Sequence, residues 1–124
     1  MHLLIYGADY CSFTQSLWSQ ITNIPFLYMP YKYPMDKKHY WQGVKDSLSK
    51  KSDMTFPTLV LLDEKDKITQ VYLKRNVLID DFGKQYELSS LKIVPGGRDV
   101  PIVKDKNKLM QSFTSTKLFS YQPN

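Results

Sequence analysis

A single cysteine, Cys11, excludes an internal disulfide. The stability of the chain must therefore come from its core, and the thiol economy fits a reducing, intracellular setting. Two histidines, His2 and His39, stand far apart, and with one cysteine they form no recognisable zinc spacing. No apolar run approaches the roughly 20 residues needed to span a bilayer. No basic stretch leads into a long apolar segment near Met1, so no secretory signal is expected, and a cytoplasmic location is. No internal repeat or low-complexity segment is present. Acid is in short supply: 12 acidic against 17 basic residues give a net charge of +5. All the basic residues except Arg75 and Arg98 are lysines. Such a charge permits attraction to anions. Most lysine-rich surfaces are nevertheless simply solvated, and nucleic-acid binding is not expected as the main role.

What remains is ordinary for a globular protein: 42% hydrophobic and 23% charged residues in 124. That length suffices for one domain with its own core. The periodicity predicts a strand over 2–6 and a helix over 12–22, with Phe13, Leu17, Trp18 and Ile21 on its apolar face. Pro25 ends that helix. A second strand follows over 26–29. A helix over 37–50 is capped by Asp36 and carries Tyr40, Trp41, Val44 and Leu48 inward. Gly43 weakens it by about 1 kcal/mol relative to alanine.

Thr58 to Leu62 is apolar at every position but the first, the mark of a strand buried on both faces. Residues 63–67 form a charged turn, and 68–73 return as a hairpin partner. Strand, helix, strand, helix and hairpin in this order argue for an α/β class with a mixed sheet. Beyond residue 73 the pattern weakens. Short strands are expected at 77–79 and 91–94, a helix at 104–113, and a loose tail from Thr114 to Asn124.

Cys11 falls where the first helix opens. Unpaired backbone N–H groups and the positive end of the helix dipole there stabilise a thiolate, the nucleophilic form. The competing reading makes Cys11 a small buried hydrophobe. Asp80 and Asp81 with Glu87 have the composition of a cation site or of a solvated turn. Tyr28, Tyr31, Tyr33, Tyr40 and Trp41 fit core packing or a tyrosine-rich interface. Tyr31-Lys32-Tyr33 also has the composition that stacks on bases.

Two pieces, Tyr10-Cys11-Ser12-Phe13-Thr14 and Thr55-Phe56-Pro57, in this order of elements, resemble the glutaredoxin branch of the thioredoxin-like superfamily. The resemblance covers residues 1–73. It implies a thioredoxin-like, glutaredoxin-type mixed sheet flanked by helices, in one domain over 1–124, with 74–124 as a C-terminal extension or insertion ending in a helix. It implies Cys11 as the catalytic nucleophile of a glutathione-dependent thiol–disulfide oxidoreductase. Glutathione or a protein thiol or disulfide would be the partner. Tyr10, Phe13, Thr14, Thr55, Phe56 and Pro57 would line its site, with Pro57 cis. Gly96 and Gly97 of Gly96-Gly97-Arg98-Asp99 would close the glutathione pocket, although they lie well past the hairpin.

Thr14 stands where dithiol members carry a second cysteine, so exchange would follow a monothiol route, with external glutathione attacking the mixed disulfide. Cys11-Ser12-Phe13-Thr14 is similar to the pattern of monothiol members, some of which share a [2Fe–2S] cluster. Here Ser12 replaces their glycine, and one thiolate per chain falls short of the four that a cluster needs. Ala8 stands where many members place a lysine, and Asp9 follows. These departures motivate an alternative: a module that has lost the chemistry and binds a protein partner.

Overall fold

The computed structural model describes residues 1–8, 12–21, 23–32, 38, 40–50, 57–65, 67–94, 100–105 and 118–123. The chain begins with strand β1 (His2–Gly7), helix α1 (Ser12–Gln20), strand β2 (Phe26–Pro30) and helix α2 (Tyr40–Ser49). Strands β3 (Thr58–Leu62) and β4 (Ile68–Lys74) follow as the expected hairpin. Then come β5 (Val77–Asp80), β6 (Gln85–Glu87), a 3-10 turn (Leu88–Ser90), β7 (Ile102–Val103) and β8 (Phe119–Tyr121).

All eight strands join one mixed sheet in the order β6-β5-β4-β3-β1-β2-β8-β7. β1 runs parallel to β2 and antiparallel to β3. This corrects the expected fold. A thioredoxin-like sheet of few strands flanked by helices is not what forms. The molecule is mainly an eight-stranded sheet with two α-helices among the described residues.

The reason lies past residue 73, where the chain widens the sheet on both flanks. On one side β5 and β6 extend the β3–β4 hairpin. On the other, Phe119–Tyr121 returns as β8 beside β2, so the described part of the expected loose tail, 118–123, is held in the sheet. Residues 91–94 are not a strand. They run past the N-terminus, where Val94 N–H donates to the Met1 carbonyl at 2.9 Å. Of the helix expected at 104–113, Lys104 and Asp105 are non-helical, and the rest lies outside the described residues.

Strand alternation divides the core. Leu3 and Ile5 of β1 pack with Trp18 and Ile21 on the α1 face, joined by Phe26, Tyr28, Leu59, Leu61, Phe119 and Tyr121. Leu4 and Tyr6 pack with Trp41, Val44 and Leu48 of α2 on the other face, with Leu27, Met29, Val60 and Leu62. β1, β2 and β3 are therefore buried on both sides, and their runs read as continuously apolar. Tyr28 and Trp41 belong to this core, on opposite faces.

α2 presents its glycine to solvent. Gly43 is exposed, and a Cβ built there meets nothing within 4 Å. Gly43→Ala should stabilise the protein by about 1 kcal/mol through helix propensity alone. Thermal unfolding followed by circular dichroism should record a rise of several degrees, and a fall would mean that the helix surface is not free.

Two turns share one device. Asp63 Oδ1 accepts the N–H groups of Lys65 and Lys67, each at 2.9 Å. Asp80 Oδ1 likewise accepts those of Phe82 and Lys84 at 2.9 Å, and Tyr86 Oη donates to its Oδ2 at 3.2 Å. Gly83 takes the positive φ of 82° that this second turn needs. The acid pair expected as a cation site or solvated turn is thus a hydrogen-bonded turn built on Asp80. Among the described residues, no cluster of His, Cys, Asp and Glu could hold a metal.

Burial pushes the Asp80 carboxyl pKa up. The N–H groups of Lys84 and Phe82, the Tyr86 hydroxyl and the Lys84 charge outweigh burial and hold it below the ordinary carboxylate value. A depressed folded pKa stabilises the native state fully above the unfolded value of about 3.9. That contribution is lost as pH falls through the lower folded value. Asp80→Asn should therefore lower Tm at pH 7 and flatten the loss of Tm on acidification below about pH 4. An unchanged acid slope would mean that Asp80 carries none of it.

Candidate functional site

α1 turns most of its expected apolar face inward, with Leu17, Trp18 and Ile21 on the core, but not Phe13. Thr14 and Trp18 are buried, and Ile21 follows them into the core at the same helical spacing. Phe13 is left 72% exposed. Thr14 fits because β1 ends in glycine. A Cβ at Gly7 would stand 2.8 Å from Thr14 Oγ1 and 3.0 Å from its Cγ2, closer than real Cβ contacts come. This close approach seats the first turn of α1 on the end of β1. Phe13, the residue before Thr14, is left in the open.

An open groove of about 510 Å³ lies between α1 and the β3–β4 hairpin. α1 contributes Phe13, Ser16, Leu17 and Gln20 to it. Pro57 and Leu59 form its floor at the start of β3, and Val71, Tyr72 and Leu73 line it from β4. None of these side chains is charged. The groove thus joins two of the residues picked out by resemblance, Phe13 and Pro57, from opposite ends of the matching region.

Thr14 is not in the groove. It is fully buried, and its hydroxyl has no hydrogen-bond partner among the described residues. Its place is structural, between α1 and Gly7. Tyr10, Cys11, Thr55, Phe56, Gly96 and Gly97 lie outside the described residues, as does the Phe56–Pro57 peptide bond. α1 begins at Ser12, the residue after Cys11, and no acidic residue stands in its first turn. A helix start of that kind offers unpaired N–H groups without an opposing carboxylate of its own.

Sequence reasoning did not find Ser16, Gln20 or the β4 wall. Ser16 and Gln20 are polar residues one turn apart that carry no chemical signature. Val71 and Leu73 look like core residues of an ordinary strand. Tyr31 of the aromatic-basic loop is half-buried, with the Lys32 ammonium 5.5 Å from its ring centroid. Tyr33 lies outside the described residues. No described helix is long and apolar enough to cross a membrane. No family model, curated protein or solved structure matches this chain.

Proposed function

We propose that the protein performs glutaredoxin-like monothiol thiol–disulfide exchange, with Cys11 as the nucleophile and the groove beside α1 as the seat of the disulfide-bearing partner. The observation that carries this reading is the meeting of Phe13 and Pro57 in one open groove along α1, the helix whose first residue follows Cys11. The helix start favours the thiolate.

In the first step the Cys11 thiolate attacks one sulfur of the substrate disulfide. A mixed disulfide forms on Cys11, and the other sulfur leaves as a thiolate and takes up a proton. In the second step an external thiol, glutathione by this reading, attacks the mixed disulfide as a thiolate. It takes over the substrate's sulfur and frees the Cys11 thiolate. The apolar walls fit a protein disulfide as the first substrate. Cys11→Ser, shown by circular dichroism to be folded, should lose all turnover of a peptide–glutathione mixed disulfide. Turnover equal to wild type would refute the assignment.

The exposed Phe13 ring favours a second reading, a module that only binds a protein partner. Alkylation rates of Cys11 measured against pH separate the two. Exchange requires a thiol pKa well below the free value of about 8.5. A value at or above it leaves only the binding reading.

A further inference from the structure

Two charged residues stand just past one end of the groove. β3 and β4 pair antiparallel with Leu59 opposite Val71, and continuing that register sets Pro57 opposite Leu73. Both line the groove. Lys74 ends β4, paired to Val77, and Arg75 follows in the turn into β5. Both are exposed. Two exposed cations thus follow Leu73 along the chain, just past the residues that line the groove. The acid Glu87 pairs with Val77 from β6, two strands away from Lys74.

Arg75 is an unusual occupant of its position. It holds a φ of 59°, a left-handed conformation that glycine or asparagine takes at lower cost. It is also one of two arginines in a chain whose other basic residues are lysines. Nothing in the turn geometry asks for a guanidinium there. A guanidinium matches a carboxylate fork better than an ammonium does.

Resting on the exchange reading above, we infer that the groove selects an extended protein segment that is apolar around its sulfur and acidic next to it, the acid being met by Arg75 and Lys74. The walls supply apolar contact without charge, and the two cations supply the sign. The net charge of +5 acts in the same direction over a longer range.

The test uses three peptides with the core Leu-Cys-Val, each cysteine held as a mixed disulfide with 2-mercaptoethanol. Two Asp, two Ser or two Lys residues follow the core. Mass spectrometry times their capture by Cys11 at low salt. The Asp peptide should react about three- to tenfold faster than the Lys peptide, the size expected of one or two exposed charge contacts. Salt should narrow the gap. The double variant Lys74→Glu with Arg75→Glu should reverse the order. Lys65→Glu with Lys67→Glu makes the same change of net charge at the β3–β4 turn, the opposite end of these strands, and should keep it. Equal rates for the three peptides, or reversal by the Lys65 and Lys67 pair as well, would overturn the inference and leave the exchange reading standing. Capture of none of the peptides would remove both.

Discussion

Deleting residues 118–124 should leave a chain that no longer melts cooperatively. β8 lies inside the sheet, between β2 and β7. Its Ser120 N–H donates to the Pro101 carbonyl at 2.8 Å, and Gln122 N–H beyond it donates to Val103 at 2.9 Å. Phe119 and Tyr121 close an aromatic cluster on the α1 face. Trp18 meets Phe119 edge-on at 5.6 Å and Tyr28 at 5.1 Å, and Phe26 lies 5.1 Å from Tyr121. Such pairs add about 0.5–1.5 kcal/mol each beyond their buried area.

Losing the Phe119 side chain alone should cost about 3–5 kcal/mol. Losing Leu118 and Tyr121 with it approaches the whole stability of a small domain, about 5–15 kcal/mol. The deletion would also turn β2, buried at all five positions, into an open edge, an invitation to aggregation. Gel filtration and a thermal melt would check this. A monomer with an unchanged melting transition would show that β8 is dispensable. Phe119→Ala is the milder version, with an expected drop in Tm of about 10 °C or more.

That prediction could not have been made from the sequence. Leu118-Phe119-Ser120-Tyr121 is too short to show a period. Buried on both faces, it shows no alternation either, and Gln122-Pro123 beside it looks like a frayed end. The core strands were legible for the opposite reason. Thr58 to Leu62 is also buried on both faces, but an unbroken apolar run between turn residues identifies it. β6 was hidden because only Tyr86 of Gln85-Tyr86-Glu87 faces the core, and the flanking residues are exposed. Residues 91–94 misled because Leu91 and Ile93 pack against the core without pairing as a strand.

The site was half legible. The resemblance pointed to Phe13 and Pro57, and the groove contains both. Helical periodicity also set Phe13 inward with Leu17, Trp18 and Ile21, and of these Phe13 alone is exposed. Hydrophobicity alone cannot tell that a glycine on the neighbouring strand admits threonine there instead.

That glycine carries the second large effect. Gly7→Ala should destabilise the protein by about 1–3 kcal/mol, because its methyl group must displace either Thr14 or the whole first turn of α1. Neither can yield freely, since Thr14 is fully buried and Gly7 is tied through its carbonyl to Tyr31 N–H at 3.0 Å. Thr14→Ala removes the two atoms the methyl would strike, Oγ1 and Cγ2, while its Cβ, 3.5 Å away, stays in ordinary contact. The double variant should therefore be more stable than the sum of the two single changes allows, by a coupling of about 1 kcal/mol or more in a double-mutant cycle. The same shift reaches the groove, because the displaced turn carries Phe13. Capture of the acidic peptide by Cys11 should slow in Gly7→Ala and recover in the double variant. Additive stabilities would mean that α1 yields without strain. A capture rate indifferent to Gly7→Ala would mean that the seat of α1 on β1 does not set the groove.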